Sequence, residues 1–460
     1  MSRPPPHHIT GPTGPIRFPA EFSWGAATSS YQIEGDRAGR GANVWDAFCR
    51  QPGAVLNGDH GDVACDHLRL VDDDVALMVD LGLQSYRFSF SWPRVLPSGV
   101  GHVAQSGLDQ YRRLVDLLLQ HGIEPVPTLF HWDLPQALED RGGFRSRECA
   151  WWFADYAAML AAEFGDRVTR WATFNEPWCY AFLGHAAGLH APGLNDPAAA
   201  VAVAHHELLG HGLALVAMRA ARSNLSLGVV LNVSPVHRDD SLTDDDVRRI
   251  DGTLNRWFLD PVLAGRYPVD VIEDLGVLAD CVRPGDEALI GVPLDWLGVN
   301  YYHDHTYALA TGEQRLASPH VTAAHAVPLV HDGPATDIGW PITPAGFGDL
   351  LRRLHRDYAL PPIYITENGV AYTDPVVAGR CDDPRRVDYL EAHLRSLHTA
   401  MADGVDVRGY FAWSLFDNFE WAFGFDQRFG LVHVDYSTLV RTPKTSARWF
   451  ADVCRSGSVG

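Results

Sequence analysis

Short apolar runs alternate along the chain with longer stretches in which apolar residues recur every three or four positions. The short runs are rich in β-branched and aromatic residues, which is typical of buried strands. The longer stretches show helical spacing, as at Leu68, Val71, Val75 and Met78, and Gly82 predicts where this helix ends. We predict eight strands, at residues 22–29, 85–92, 125–132, 170–175, 225–232, 296–300, 362–368 and 407–414.

Strands that alternate with helices indicate a parallel sheet. Eight such units predict an α/β fold closed into a (β/α)8 TIM barrel, with an open doubly wound sheet as the alternative. The chain shows no internal linker and no repeat beyond the βα unit, so we expect a single domain with long βα loops. We place the barrel domain at residues 17–454, after a flexible N-terminal tail at 1–16, and interpret the polar stretch 303–343 as a loop after the sixth strand.

Composition narrows the class of protein. With 46% hydrophobic residues the chain can bury a large core, and its net charge of -20 disfavours binding to nucleic acid and to anionic membranes. The start of the chain has no apolar segment typical of a secretory signal, and no run of 18 apolar residues follows. Seven cysteines without a CxxC motif favour reduced thiols. We therefore expect a cytoplasmic enzyme with a small-molecule substrate, and its ability to form homo-oligomers stays open.

Polar and aromatic side chains stand at the C-terminal ends of the predicted strands, which is where the active site of a barrel lies. Two are glutamates, Glu176 in TFNEP and Glu367 in ITENG, and Pro177 cannot continue the strand before it. A single glutamate at a strand end is more often a cap or an ion-pair partner, but eight polar strand ends together indicate a site. The other residues at these ends are Gln32, Arg87, His131, Trp132, Asn175, Asn232, Asn300, Tyr302 and Trp413.

Two facing carboxyl groups suit the hydrolysis of glycosides. One stays ionised as a nucleophile, while the other has a raised pKa and protonates the leaving oxygen. Amide side chains match sugar hydroxyls, and indole faces pack on the C–H faces of a sugar ring. Structural alternatives remain for individual residues: a salt bridge for Arg87, a core indole for Trp413, and supporting struts for Gln32 and His131.

The longer motifs around these residues resemble those of glycoside hydrolase family 1, the β-glucosidase family. FSWGAATSSYQIEG, YRFSFSWPR, LFHWDLP, TFNEP, GVNYY, ITENG and WSLFDNFEWAFGF match in order, from about Phe18 to Trp449. The resemblance implies a retaining β-glycosidase, most often a β-glucosidase, that hydrolyses terminal non-reducing β-D-glucosyl residues from oligosaccharides or glycosides. It implies double displacement through a glycosyl-enzyme intermediate, with no metal or organic cofactor.

The resemblance also implies roles for single residues. Glu176 is expected to act as general acid and then as general base, and Glu367 as the nucleophile. Retention requires the two carboxyl groups to lie about 5 to 5.5 Å apart. Arg87 is expected beside Glu367, where its charge would keep that carboxyl ionised, and Tyr302 is expected to hydrogen-bond the same nucleophile.

Further residues are implied to bind the substrate. Asn175 would hold the 2-hydroxyl of the sugar, and Trp413 would form a platform under the ring. Trp178 and Trp340 would line the aglycone entrance. The remaining expected substrate contacts are Gln32, His131, Trp132, Asn300, Glu420, Trp421 and Phe429.

Two positions distinguish branches of this family. Members that act on 6-phosphoglycosides have a small residue in place of the glutamate of NFEW, whereas this chain keeps Glu420, so we expect an unphosphorylated substrate. Myrosinase-like members have glutamine in place of the acid/base glutamate, whereas this chain keeps Glu176. Two rival functions stay open: a transglycosidase, and an inactive sugar-binding barrel. The sequence does not separate glucose from galactose or fucose.

Two further stretches of the sequence give weaker indications of function. The stretch HHELLGH, residues 205–211, differs from the zinc motif HExxH, because His206 and His211 are five positions apart. We therefore expect no metal site there, and we expect the other histidines to be structural or exposed. The acidic run DDSLTDDDVRR, residues 239–249, is typical of a helix start, with a partner-binding segment as the alternative.

Overall fold

A closed barrel of eight parallel strands forms the centre of the molecule, and it confirms the predicted (β/α)8 fold. The computed structural model describes residues 14–311, 318–331 and 333–460. Each barrel strand pairs with its neighbours in chain order, and the last strand pairs with the first, which rules out the open sheet. The strands are β1 (Ser23–Ala27), β2 (Ser85–Ser89), β3 (Glu124–Phe130), β4 (Arg170–Asn175), β5 (Ser226–Asn232), β6 (Trp296–Asn300), β7 (Ile363–Asn368) and β8 (Val407–Trp413).

Helices follow the strands, as the apolar spacing predicts. Gly82 and Gly122 each stand shortly after a helix with φ of 67° and 73°, the left-handed conformation that glycine adopts at helix ends. The α-helices are Ser30–Ile33, Val44–Phe48, Val71–Asp80, Trp92–Val95, Gln105–Gln120, Gln136–Glu139, Glu148–Phe164, Pro197–Ala221, Asp244–Asp251, Trp257–Ala264, Val269–Leu275, Asp286–Ile290, Pro344–Asp357, Pro384–Ala402 and Thr445–Ser456.

Shorter helical turns complete the connections. The acidic run does start a helix: Thr243 and Asp246 cap each other's backbone N–H groups just before and inside Asp244–Asp251. Two segments wind as π-helix, Cys179–Ala186 and Gly252–Arg256. The 3₁₀ turns are Arg37–Gly39, Leu56–Gly58, Gly143–Arg145, Gly276–Cys281 and Trp421–Phe423.

The barrel interior is packed with apolar side chains, and this packing continues upward into the strand ends. A Cβ on Gly228 would lie 2.6 Å from the ring of Trp296, so the close approach of β5 and β6 requires glycine there. Trp413 and Phe429 belong to the same cluster, which places the aromatic strand ends directly above the core. The cluster also contains Ala27, Val126, Ala172, Val230, Trp296, Tyr364, Ala371 and Phe411.

The stretch after β6 differs from the predicted loop. It contains the strands His305–Leu309 and Ala326–Pro328, which form a small sheet with Val236–Arg238 from the connection after β5. The local pattern could not show these strands, because their partner lies in a different βα loop. Residues 312–317 and 332 of this stretch lie outside the described residues.

Two short strands near the start and the end of the described residues pair with each other. Residues 1–13 of the predicted tail lie outside the described residues, and Ile16–Arg17 pairs with Ser458–Val459. Two further ribbons are Val376–Val377 with Arg380–Cys381, and Val432–Val434 with Arg441–Pro443.

Helix Pro197–Ala221 contains the HHELLGH stretch. Its length and composition would suffice to cross a membrane, but most of it is buried, as in the core helix of a soluble protein. His205 contacts Asp286, His206 contacts the carbonyl of Phe144, and His211 contacts Thr173. These contacts are structural. In the described ranges, no group of three or more His, Cys, Asp or Glu side chains is arranged to hold a metal ion.

Candidate active site

The C-terminal ends of the barrel strands bring the predicted polar residues to one face of the barrel. Because all eight strands are parallel, Asn175 at the end of β4, Asn300 at the end of β6 and Glu367 in β7 share that face. Glu176 follows β4 directly and has a φ of 46°. Such left-handed conformations are rare for residues with a side chain and are concentrated at functional sites.

Glu367 is held by two strong hydrogen-bond donors. Nη1 of Arg87 donates to Oε1 at 2.6 Å, and the hydroxyl of Tyr302 donates to Oε2 at 2.6 Å. Burial raises the pKa of Glu367, while the positive charge of Arg87 and the Tyr302 hydrogen bond act in the opposite direction. Glu367 is therefore the carboxyl of the site that is best supported in its ionised form.

Glu176 is held by weaker, neutral donors. Nδ2 of Asn300 donates to Oε1 at 2.8 Å, and the thiol of Cys179 donates to Oε2 at 3.2 Å. Burial, reinforced by the negative charge of Glu367, raises the pKa of Glu176 to about 8. A carboxyl that keeps its proton at neutral pH can act as a general acid.

Asn175 joins the partners of the two glutamates. Its Oδ1 accepts hydrogen bonds from Nη2 of Arg87 at 2.7 Å and from Nδ2 of Asn300 at 3.1 Å. Thr366 donates to Oδ1 of Asn300 at 2.7 Å, which turns the amide nitrogen of Asn300 toward Glu176. The two carboxyl groups therefore belong to one buried hydrogen-bond network.

His131 and Trp132, which follow β3, contact the same asparagine. The Nδ2 amide of Asn175 donates to Nε2 of His131 at 3.1 Å, and Nε1 of Trp132 donates to the Asn175 carbonyl at 2.8 Å. Nδ1 of His131 is buried and finds no partner among the described residues. Burial holds the pKa of His131 well below its usual range, so this neutral imidazole has an N–H to offer a ligand.

Gln32 makes three side-chain hydrogen bonds to the protein, and its amide oxygen has a second lone pair for a ligand hydroxyl. Its amide nitrogen donates to Oδ1 of Asn418 at 3.0 Å and to the carbonyl of Phe419 at 2.8 Å, and Ser29 donates to its amide oxygen at 2.6 Å. Gln32 therefore fixes the loop that carries Glu420, which is the arrangement of a supporting strut.

Glu420 supplies a third carboxyl group. Its Oε2 is buried and, within the described part of the chain, has no hydrogen-bond partner. Burial, together with the negative charges of Glu367 and Glu176, raises the pKa of Glu420 to about 8. A buried oxygen with free acceptor capacity is suited to a ligand hydroxyl.

Trp421, the residue after Glu420, belongs to a group of aromatic rings. The ring centroid of Trp421 lies 4.6 Å from that of Trp132 and 6.0 Å from that of His131, which in turn lies 5.9 Å from Trp413. Trp132 and Trp421 have positive φ values of 73° and 52°. With Glu176, three residues of the site thus have strained backbone conformations.

A chain of rings runs from Tyr302, which contacts Glu367, to Trp178 near the end of β4. Trp340 contacts Tyr302 at 5.4 Å and His303 at 4.9 Å, and His320 contacts Trp178 at 5.9 Å. Phe429 lies 5.9 Å from both Tyr302 and Trp340. His305 and Tyr307 complete the chain between His303 and His320, with centroid distances of 4.5, 6.0 and 4.8 Å.

The three histidines of this chain of rings were not predicted as site residues, because the histidines outside the motifs were expected to be structural or exposed. Burial lowers the pKa of His303 and of His320 to about 4 and holds that of His305 well below its usual range, which favours the neutral form of all three at neutral pH. The letters HDH directly after NYY, at the end of β6, were the available signal for His303 and His305, whereas no such motif marks His320.

Comparison with known proteins identifies the family. The sequence model described as "Glycosyl hydrolase family 1" matches residues 15–458. The thermostable beta-glucosidase B of Thermobispora bispora is 48% identical, over 96% of this chain and 91% of its own length. The bifunctional beta-D-glucosidase/beta-D-fucosidase of Bifidobacterium breve is 44% identical, over 94% of this chain and 97% of its own length.

Solved structures agree with these relatives. The psychrophilic beta-glucosidase BglU from Micrococcus antarcticus has a TM-score of 0.92 at 46% identity, over 96% of this chain and 98% of that chain. The beta-glucosidase from Thermotoga maritima in complex with deoxynojirimycin has a TM-score of 0.89 at 40% identity, over 96% and 100%. The family match, the full-length relatives and the common barrel lead to one conclusion: the chain belongs to glycosyl hydrolase family 1.

Proposed function

We propose that this chain is a retaining β-glucosidase that removes terminal non-reducing β-D-glucosyl residues from oligosaccharides and other glycosides. The observation that carries the proposal is the pair of buried glutamates at the ends of β4 and β7. Glu367 accepts hydrogen bonds from a guanidinium and a phenol, whereas Glu176 accepts them from an amide and a thiol. The 1,4-beta-D-glucan glucohydrolase of Thermotoga neapolitana, 40% identical over 96% of this chain, supports a glucan-derived substrate.

In the first step, the carboxylate of Glu367 attacks the anomeric carbon while Glu176 gives its proton to the glycosidic oxygen. The bond from the anomeric carbon to the leaving oxygen breaks, and an ester bond to Glu367 forms. Arg87 and Tyr302 keep Glu367 ionised until it attacks. The raised pKa of Glu176 keeps the proton available at neutral pH.

In the second step, Glu176 is ionised and takes a proton from a water molecule, whose oxygen attacks the anomeric carbon. The ester bond to Glu367 breaks, and Glu176 regains its proton. Each step inverts the anomeric carbon, so the released sugar has the β configuration of the substrate.

The surrounding side chains are proposed to bind the glucosyl unit. Asn175, fixed by Arg87 and Asn300, offers its amide to the 2-hydroxyl. Glu420 accepts from hydroxyls farther from the anomeric carbon. A carboxyl at this position offers no positive charge to a 6-phosphate and repels one when it is ionised. The other proposed sugar contacts are Gln32, His131, Trp132, Asn300, Trp413, Trp421 and Phe429.

The leaving group is proposed to lie against the ring chain between Trp178 and Trp340. Both the indole N–H of Trp178 and Nδ1 of His320 are buried and, in the described ranges, lack hydrogen-bond partners. Rings with a few polar atoms suit an uncharged aglycone, either a second sugar or an aryl group. No nucleic acid or membrane partner is proposed.

We also propose that the enzyme works in the cytoplasm. The support is its cysteine chemistry: all seven cysteines lie in the described part of the chain, all are unpaired, and six are buried. Fractionation of cells that express the enzyme would test this proposal.

The stereochemistry of hydrolysis tests the proposed function directly. We expect proton NMR during the hydrolysis of an aryl β-glucoside to show β-glucose first, with α-glucose appearing later by mutarotation. If α-glucose appears first, the reaction is a single inversion and Glu367 is not a nucleophile. If sugar binds in a calorimeter but no β-glycoside is cleaved, the chain is an inactive binding barrel.

A further inference from the structure

The thiol of Cys179 lies against the glutamate that we propose as acid and base. Its sulfur is 3.2 Å from Oε2 of Glu176, and both side chains are buried. The backbone N–H of Cys179 also donates to the carbonyl of Glu176 at 2.9 Å. Two hydrogen bonds, one from the backbone and one from the side chain, therefore tie Cys179 to Glu176.

The local fold places the thiol next to the carboxyl. Cys179 opens the π-helix Cys179–Ala186, a rare helical form that occurs frequently at functional sites. Glu176 itself is held in a left-handed backbone conformation just before this helix. The thiol therefore contacts Oε2 of Glu176 from the start of the π-helix. Asn300, at the end of β6, contacts the other oxygen, Oε1.

The chemistry of the thiol fits a donor and not a nucleophile. Burial, strengthened by the negative charge of Glu176, raises the pKa of Cys179 well above its usual range. This shift favours the protonated form of the thiol. A protonated thiol next to a carboxylate can only donate, although its S–H group is a weak donor.

We propose that Cys179 is a positioning residue of the reaction, whose S–H bond orients Oε2 of Glu176 and stabilises the ionised form of that carboxyl. This inference rests on the proposed function, because it takes Glu176 to be the acid and base. The bond matters most in the second step, when Glu176 must be ionised and aimed at water.

Several charged groups face Glu176 and must be considered with Cys179. Glu367 raises the pKa of Glu176 and Arg87 lowers it. Glu420 and Tyr302 also interact with Glu176 electrostatically. None of these groups changes when Cys179 is replaced, so a shift in the Cys179 variants would isolate the contribution of the thiol.

The test compares Cys179→Ala, Cys179→Val and Cys179→Ser. Loss of a donor to the ionised form raises the pKa of Glu176, so the alkaline limb of kcat/KM moves to higher pH. We expect a displacement of roughly 0.5 to 1 pH unit in the alanine and valine variants. Serine keeps a donor and should return the limb to the wild-type position or below it.

The matched control is Cys149→Ala. Cys149 is a fully buried thiol in helix Glu148–Phe164, so its loss costs packing without touching Glu176. We expect this variant to lose thermal stability and to keep the alkaline limb in place. If the alanine variant of Cys179 does not fold, valine, which is close to cysteine in volume, carries the same test.

The outcomes separate this proposal from the proposed function. A limb that stays in place in the alanine and valine variants, or that moves as much in Cys149→Ala, overturns the role of Cys179. If Glu176→Ala loses activity equally on substrates with good and poor leaving groups, the acid/base assignment of Glu176 itself fails. A shifted limb restored by serine, with a Glu176→Ala loss that depends on the leaving group, supports both.

Discussion

The ends of β4 and β7 carry the same side chain in opposite surroundings. Glu176 and Glu367 are both buried, and both stand at the carboxyl end of a barrel strand. Arg87 and Tyr302 contact Glu367 at 2.6 Å each. The contacts of Glu176 are an amide at 2.8 Å and a thiol at 3.2 Å.

In the proposed mechanism, the hydrogen-bond partners of each glutamate, and not its residue type, determine which carboxyl attacks and which one protonates. Hydrogen bonds that involve a charged donor are roughly twice as strong as neutral ones, so the Arg87 contact favours the ionised form of Glu367 most. Glu176 lies near the negative charge of Glu367 and faces only neutral donors, which favours its protonated form. Because the two carboxyl groups interact, the pKa values in a pH profile belong to the pair and not to either glutamate alone.

The largest expected loss of activity follows from removing Glu367, the proposed nucleophile. In Glu367→Gly the side chain that forms the ester bond is gone, so we expect turnover of an aryl β-glucoside to fall by at least roughly 10⁴-fold. Azide can enter the space and attack from the same face. The measurement is the rate with added azide and the NMR spectrum of the product, which should be the α-glucosyl azide.

The control for this variant is circular dichroism and thermal melting, which should show a folded barrel. Recovery of activity without azide, or a β-configured azide product, would mean that another group is the nucleophile.

Removing the acid should damage the reaction selectively. In Glu176→Ala a leaving group that needs a proton loses its donor, and we expect kcat/KM on cellobiose to fall by about 10²–10⁴-fold. A dinitrophenyl glucoside leaves without protonation, so its kcat/KM should change far less. The measurement is kcat/KM across aryl glucosides of graded leaving-group pKa.

Added azide should restore the second step in this variant and yield the β-glucosyl azide. Equal losses across the whole substrate series would contradict the assignment of Glu176 and would remove the basis of the comparison.

The sequence predicted the strands and their polar ends because both signals are local. Each barrel strand is a short apolar run, and each catalytic candidate follows such a run directly, as Glu176 follows β4. The parallel barrel then brings these ends together wherever they stand in the chain. The positions of Arg87 and Tyr302 beside Glu367 were implied by the family resemblance, and the structure places both side chains there.

Contacts between different loops could not be predicted in this way. The sheet that joins Val236–Arg238 to His305–Leu309 pairs two connections, and neither carries a signal for the other. The same gap hid His320, which reaches Trp178 from a long polar stretch. Cys179 was overlooked for another reason: its contact with Glu176 depends on the π-helical turn that starts there, and apolar spacing does not reveal such a turn.

Removing one hydrogen-bond donor of Glu367 should make its surroundings more like those of Glu176. Tyr302→Phe deletes an O–H donor to a carboxylate, and such bonds contribute about 1.5–3 kcal/mol, so we expect kcat to fall by roughly 10- to 100-fold. The donor favours the ionised form of Glu367, so its loss raises the pKa of that carboxyl. The acidic limb of kcat/KM should therefore move to higher pH, toward the behaviour of Glu176.

Tyr301→Phe is the matched control, because the Tyr301 hydroxyl donates to Asp304 at 2.7 Å and has no contact with the carboxyl pair in the described structure. Its pH profile should stay in place. An acidic limb that moves in neither variant would show that Arg87 alone sets the ionisation of Glu367.

Glu420, like Glu176, is a carboxyl of this site with no cation as its hydrogen-bond partner among the described residues. We therefore expect its raised pKa to affect the stability of the protein. Burial raises the pKa of Glu420 to about 8, so the folded state holds a proton that the unfolded state releases near its ordinary pKa. This contribution to the free energy of unfolding is complete at acidic pH and is lost as pH rises toward 8. Glu420→Gln cannot ionise and should escape this loss.

The melting temperature of the glutamine variant should therefore match that of the wild type near pH 5 and exceed it by about 1 to 3 °C near pH 8. Glu21→Gln, which removes one exposed carboxyl, is the control and should leave the difference flat with pH. Activity on glucosides should fall in Glu420→Gln, because the amide replaces one acceptor with a donor. A variant that melts below the wild type at pH 8 would mean that Glu420 is ionised and stabilised in the folded state, which contradicts its raised pKa.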